Sequence, residues 1–250
     1  MPSRTTGAPM TLFSDTDLQQ EYEAVHQQVI DGLADLRPPL GDLVLGQVAE
    51  SFQAQRVGLV LAASLPQQDT PYRREQRILL AAALEMLQLA LRIHRLLFQP
   101  SDGADMQGMD RSWVGSIILA GDYCFSRSAI LAAHTNEPDV VQIFARALQA
   151  VSEQHLRQLF HSPGQPYGGA FERGHPEQNS DQFEAGILTG AGLSAASRLA
   201  GLTKSIELQV DQRGWPRLSH PEQWEEKPPA FQMGRWTSLF FIMDQHANTE

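Results

Sequence analysis

Arg92, His94 and Arg95 fall within one helical turn of this 250-residue sequence. Two guanidinium groups flanking an imidazole form a candidate clamp for a phosphate or diphosphate. Part of the grouping also suits a helix C-terminus, where cations are favoured. Buried arginines require anionic partners, and the chain's own candidates are Glu85 and Asp122. Other groupings are weaker. Asp102, Asp105 and Asp110 could face a divalent cation, but the calcium-loop glycine and closing glutamate are missing, so a solvated acidic loop is the better reading. His155, His161 and His175 share no i,i+4 spacing, and no carboxylate completes a metal set. Ser126 and Ser128 have no histidine placed to activate them. Gly186-x-x-x-Gly190-x-Gly192 lacks a preceding strand and the spacing of a nucleotide loop, so close helix packing explains it better. No residue is assigned as catalytic or as a metal ligand.

The bulk composition narrows the function classes. Acidic residues outnumber basic ones 29 to 19, a formal charge of −10, which argues against nucleic acid as a partner because no basic stripe is available to displace counterions. A hydrophobic fraction of 42% suffices for a buried core. The lone Cys124 excludes an internal disulfide and a cysteine-rich zinc site, and its apolar surroundings suggest a buried, reduced thiol. No uninterrupted apolar run reaches the ~18 residues of a membrane span. Met1–Ser14 lacks the pattern of a secretory signal, so the expected location is cytoplasmic.

The elements that must carry these residues are helices. Proline-free stretches mark where long helices can form. Tyr72–Gln99 reads as a helix roughly 40 Å long, apolar on nearly every face and therefore central. Trp113–His134 carries one stripe of Val114, Ile117, Ile118, Phe125 and Ala129, and a second of Leu119, Tyr123 and Ile130, which predicts packing on two sides. Asp139–Phe160 follows an Asn136–Asp139 turn, with Val141, Phe144, Leu148, Val151 and Leu159 at helical spacing. Glu21–Leu36 and Leu40–Leu65 predict two amphipathic helices parted by Arg37-Pro38-Pro39. His161–Asn179 reads as a loop, Asp181–Ala200 as a helix rich in small residues, Leu208–Ala230 as irregular, and Phe231–His246 as a final helix. Strand signals are scarce. The predicted class is all-α: a tail over 1–18, a helical domain over 19–205, and an irregular extension over 206–250 ending in a short helix.

Two of these helices carry a family likeness. Ala83-Leu-Glu85-Met-Leu-Gln-Leu-Ala90-Leu-Arg-Ile93-His94 resembles the helix leading into the first aspartate-rich motif of trans-isoprenyl (polyprenyl) diphosphate synthases. Ile118-Leu-Ala-Gly121-Asp122-Tyr123 resembles the family's Leu-x-Gly-Asp-Tyr helix, and Ser126–Ala129 continues it. Val151–Leu159 and Gly186–Gly201 are similar to later family helices, so the likeness spans roughly 20–205. It implies a truncated isoprenoid-synthase helical bundle.

The departures from that pattern shape the expected function. The family reaction ionises an allylic diphosphate with magnesium held by two aspartate clusters. After His94 this sequence reads Arg95, Leu96, Leu97, Phe98 and Gln99, with no carboxylate, and Arg95 reverses the sign. The family's Lys-Thr position reads Glu184-Ala185. Phe231-Gln232 and Asp244 are a faint echo of the second cluster. The pattern is most similar to the non-catalytic small subunit of two-component long-chain synthases. That likeness implies a heterodimer with an aspartate-rich catalytic subunit, magnesium only on that partner, and a part in fixing the length of a quinone side chain. Family dimerisation implies contacts through Trp113–His134 and Asp139–Phe160, with Tyr123, Phe125, Arg127, Ile130 and Phe144 as interface candidates and self-association as the other use of the same helices. A different class of function is a stand-alone, metal-independent prenyl-diphosphate binder, or a divergent transferase or phosphatase, gripping its ligand with Arg92, His94 and Arg95.

Overall fold

A computed structural model describes residues 15–51, 54–97, 111–160, 176–202, 209–210, 216–217, 229–237 and 239. Among these the chain forms α1 (Thr16–Gly32), α2 (Leu40–Ser51), α3 (Ala54–Ala63), α4 (Pro71–Arg95), α5 (Arg111–His134), α6 (Pro138–Phe160) and α7 (Pro176–Leu199). A two-residue antiparallel bridge joins Gln209–Val210 to Pro216–Arg217, and a 3-10 turn at Ala230–Gln232 leads into a helical stretch over 233–237.

Local chemistry sets the helix starts. Asp15 caps α1 by accepting from the Leu18 amide at 2.8 Å, and Thr70 caps α4 by accepting from Arg73 at 3.2 Å. Pro71, Pro138 and Pro176 are first residues of their helices, where the missing N–H costs nothing. The Asn136 backbone takes a left-handed φ of 54° in the turn before α6, a conformation that asparagine tolerates.

α4 is the central post. It packs against α1, α2, α3, α5 and α7, and its buried positions run from Gln76 to Ile93 around the whole helix. The all-round apolar pattern had predicted this position. α7 closes the core from the other side, and Gly192 is where it comes nearest: a Cβ there would lie 2.6 Å from Leu84 Cδ2 and 3.0 Å from Val60 Cγ2. Gly192 therefore serves helix packing, whereas Gly190, grouped with it in the sequence, is exposed and meets nothing within 4 Å.

Several expected boundaries move. Within Leu40–Leu65 the described residues are helical over Leu40–Ser51 and Ala54–Ala63, with 52–53 outside the described part; α2 packs on α4 and α5, and α3 on α1, α4 and α7. The tail assigned to 1–18 overlaps α1, whose Leu18 is fully buried. The loop assigned to 161–179 ends by Pro176, which opens α7; its residues 161–175 lie outside the described part. The segment after 205 is less detached than expected. Gln232, Trp236 and Leu239 are buried in the core, and Gln232 Nε2 donates to the Ala63 and Leu65 carbonyls, each at 3.0 Å.

Within the chain α5 buries one face, with Ile117, Ala120, Cys124, Ser128 and Leu131, and leaves Trp113, Ile118, Leu119 and Ile130 exposed; Ile118, grouped with the first stripe in the sequence, lies outside the buried face. Ser112–His134 is long and apolar enough to cross a membrane by length and composition, with a mean hydropathy of 1.2. Asp122 and Arg127 interrupt its apolar sequence, and one face of the helix is committed to α4.

Candidate functional site

The C-terminal half of α4 is where the sequence placed its chemistry, and there the three cationic residues diverge. Arg92 Nε donates to Gln47 Oε1 of α2 at 3.1 Å. His94 Nε2 lies 3.4 Å from the Ile118 carbonyl and 3.3 Å from Asp122 Oδ1, both on α5. Arg95 Nη2 donates to Glu184 Oε1 of α7 at 3.0 Å. Arg92 and Arg95, three apart, are neighbours on the surface of α4, yet each of the three side chains makes a contact to a different helix, so a single turn of cations becomes three tethers.

The anionic partners proposed from sequence are redistributed as well. Asp122 does meet His94, but Glu85 turns to Arg56 of α3. That pair is bidentate and buried, with Nε–Oε1 at 2.7 Å and Nη2–Oε2 at 2.8 Å. His94 reaches α5 only because residue 121 is glycine: a Cβ there would sit 2.3–2.8 Å from the imidazole ring. The Gly-Asp pair of the sequence pattern thus has a steric half and a charged half, both facing one histidine.

Arg95 and Glu184 form the most unusual contact. The Glu184 side chain is 1% exposed and that of Arg95 22%. Gln88 lies seven residues before Arg95, on the same face of α4, and its Nε2 donates to the same Glu184 oxygen at 3.3 Å. In the family likeness these positions carry an aspartate on α4 and a lysine on α7; here the signs are exchanged and the two groups neutralise one another. Glu184 was visible in the sequence as a substitution. Gln88 was not, and its heptad spacing from Arg95 was the only clue.

The remaining candidates divide between packing and exposure. Tyr123 donates its hydroxyl to the Gly32 carbonyl at 2.9 Å, satisfying an orphan acceptor at the end of α1. Burial raises its pKa. Arg127, one turn further, lies beside Gly32. Phe125 is partly buried against the core, and Phe144 is buried in it, so neither offers the open surface expected of a contact residue. Ile130 alone among the five is exposed. The exposed apolar set contains residues that sequence periodicity assigned inward or left out: Trp113, Ile118 and Leu119 on α5, with Val141 and Leu156 on α6.

The other nucleophile candidates are structural. Ser128 Oγ donates to the Ala83 carbonyl at 2.7 Å, and Ser126 Oγ to Asp122 O at 2.9 Å. Burial pushes the Cys124 thiol up to about 12, which removes it as a nucleophile near neutrality. No group of three His, Cys, Asp or Glu placed to hold a metal occurs among the described residues. Asp102, Asp105, Asp110, His161 and His175 lie outside them.

A second ionic centre was not foreseen. Glu21 of α1 is buried and bonded by Arg77 Nε at 2.9 Å and Arg235 Nη2 at 2.9 Å. Arg77 also holds Asp69 through two contacts of 2.6 Å. Burial alone would raise the Glu21 carboxyl, but hydrogen bonds and charge from Arg77 and Arg235 hold it below its ordinary value.

No protein-family model matches the chain, and no curated protein does. Solved structures do. A decaprenyl diphosphate synthase from Rhodobacter capsulatus is 22% identical with a TM-score of 0.52, over 74% of this chain and 57% of that one. A geranylgeranyl pyrophosphate synthase from Lactobacillus brevis is 16% identical with a TM-score of 0.55, over 74% and 55%. An isoprenoid synthase family member from Thermotoga neapolitana is 17% identical with a TM-score of 0.52, over 92% and 80%. The matches span little more than half the length of the first two. The chain has the all-α fold of the isoprenoid synthases.

Proposed function

We propose that this chain is a non-catalytic, cytoplasmic subunit of a two-component long-chain prenyl diphosphate synthase, stabilising an aspartate-rich partner and helping to set product length for a quinone side chain. The observation that carries this reading is the apolar surface left open on α5 and α6. Leu119 is 64% exposed, and Ile118, Ile130, Val141 and Leu156 are each at least 40% exposed. Large apolar side chains in solvent on two helices that pack together support a surface that another protein covers. The Arg95–Glu184 pair supports the non-catalytic half of the reading. A guanidinium stands where the likeness calls for a magnesium-holding carboxylate, and it is already matched by an internal partner. The same divergence of Arg92, His94 and Arg95 onto three helices weighs against the stand-alone diphosphate clamp.

The test is reconstitution. The purified chain, given magnesium, isopentenyl diphosphate and an allylic diphosphate, should yield no elongated product. Co-expressed with an aspartate-rich long-chain synthase of the same genome, it should co-purify at one-to-one stoichiometry and change the chain length released. Turnover by the chain alone overturns the reading, as does a partner whose products are the same with and without it.

A further inference from the structure

Arg127 of α5 is a half-buried guanidinium without an anion. It reaches the end of α1, where a Cβ at Gly32 would lie 3.7 Å from its Nε and 3.8 Å from its Nη2. The Nε–H is buried there and has no acceptor, and among the described residues no ion pair or hydrogen bond engages the group. Nearby oxygens are committed elsewhere. The Gly32 carbonyl accepts the Tyr123 hydroxyl at 2.9 Å, and Asp122 on the same helix turns to His94. Asp35 is near enough to act on the charge of Tyr123 but forms no salt bridge with Arg127. A cation whose inner edge is cut off from water and from any acceptor costs the folded chain stability. An anion arriving from outside would offset that cost. Arg127 also stands at the border of the open α5 surface. Tyr123 and Ile130 lie one turn before and after it, and Leu119 two turns before, on the same side of the helix. Leu119 and Ile130 are both exposed.

We infer that Arg127 is the charged anchor of that surface, a socket for an Asp or Glu carboxylate of the protein that covers α5. The inference rests on the subunit reading and adds the chemistry of the partner: a face apolar opposite Leu119 and Ile130, with one acidic side chain on the side of α1. A carboxylate presents two oxygens to the planar fork of a guanidinium. Covering the apolar face removes water from the pair as it forms, so the pair fixes orientation and slows release. On a chain of formal charge −10, an acidic group is repelled by most of the surface, and a single basic socket restricts where it can land.

Two measurements on the full-length chain test it. By itself, Arg127→Met should unfold within about 2 °C of the parent, because no internal pair is lost. A larger fall shows that the guanidinium serves the fold, and overturns the inference. Against the aspartate-rich synthase, Arg127→Met should bind at least about tenfold more weakly, with Arg127→Lys in between because it keeps the charge and loses the fork. Raising sodium chloride from about 0.05 M to about 0.5 M should weaken binding of the parent more than that of Arg127→Met. A scan of the synthase, Asp to Asn and Glu to Gln, should then find one position whose loss is not added to that of Arg127→Met. Equal binding by parent and Arg127→Met, or additive losses at every acidic position, overturns the socket and leaves the subunit reading standing. A parent chain that binds no such synthase overturns both.

Discussion

Arg235 meets Glu21 across 214 positions of sequence, its Nη2 donating to Glu21 Oε1 at 2.9 Å inside the core. The same carboxylate is held from the opposite side by Arg77, so α1, α4 and the C-terminal segment share one buried anion. Trp236, the next residue, is fully buried. Residues 229–237 and 239 are therefore a working part of the bundle, fixed by the Arg235–Glu21 pair, the Gln232 hydrogen bonds and the buried Trp236 and Leu239.

Removing either anchor should be costly. Arg235→Ala leaves Glu21 with less than its full complement of cations and should lower stability by about 3–5 kcal/mol. Trp236→Ala should cost about 3–5 kcal/mol through lost burial and the cavity left behind. Urea unfolding followed by circular dichroism reads both. Midpoints within error of the parent chain would mean that residues 229–239 contribute nothing to the core.

Acid sensitivity follows from the same cluster. The Glu21 carboxyl is lowered from 4.5 and the Asp69 carboxyl from 3.8, in both cases because arginine contacts outweigh desolvation. A lowered folded pKa means that the unfolded chain takes up protons first, so the stabilisation is complete above the unfolded values and is lost as pH falls below about 4.5 toward the folded values. Glu21→Gln should flatten this acid limb while lowering stability at neutral pH. Circular dichroism of urea unfolding across pH supplies the readout: the midpoint of the parent chain should fall below about pH 4.5, that of Glu21→Gln should fall less, and parallel acid limbs would refute the role of Glu21.

How much of this was legible beforehand depends on the range of the interaction. Helix positions came from local signals, such as Pro71, Pro138 and the apolar run of α4, and those survive folding with shifts of a few residues. The role of α4 as the central post was readable because its pattern leaves no polar face. The division of α5 into an inner and an outer face was not. Ile117 and Ile118 are equivalent in periodicity arguments, and only the direction of the neighbouring helix distinguishes them. The pairs Arg95–Glu184, Arg56–Glu85 and Arg235–Glu21 are separated by 89, 29 and 214 residues, and no single-sequence rule selects one carboxylate over another at such distances. The likeness marked Arg95 and Glu184 as substitutions, but only the fold shows that they answer each other.

Gly121 gives a steric prediction. A methyl group at this position would fall within 2.8 Å of three His94 ring atoms, well inside van der Waals contact. Gly121→Ala should therefore push α5 from α4 and destabilise the chain by about 1–3 kcal/mol, the usual cost of overpacking. Despite its better helix propensity, alanine should lose here. His94→Ala in the same chain should remove the obstruction and restore most of the loss. A double variant no more stable than Gly121→Ala would show that the clash is relieved some other way.

The exposed faces of α5 and α6 separate stability from association. Leu119→Asp changes a side chain that is 64% exposed, so the folded chain by itself should lose no more than about 0.5 kcal/mol. The same change puts a charge into any interface that covers this surface, where an unpaired, desolvated carboxylate costs several-fold to many-fold in affinity. Combining Leu119→Asp with Val141→Asp places such a charge on both helices. The doubly substituted chain should keep its helical signal and melting temperature, yet fail to co-elute with the synthase partner and fail to alter its product length. Tyr123→Phe provides the opposite control. It deletes the hydroxyl bond to Gly32 at the end of α1, so it should lower stability by about 0.5–1.5 kcal/mol while leaving association intact. Should the surface variants bind the partner as the parent does, α5 and α6 are not the contact, and the apolar residues on them would have to be covered by something else.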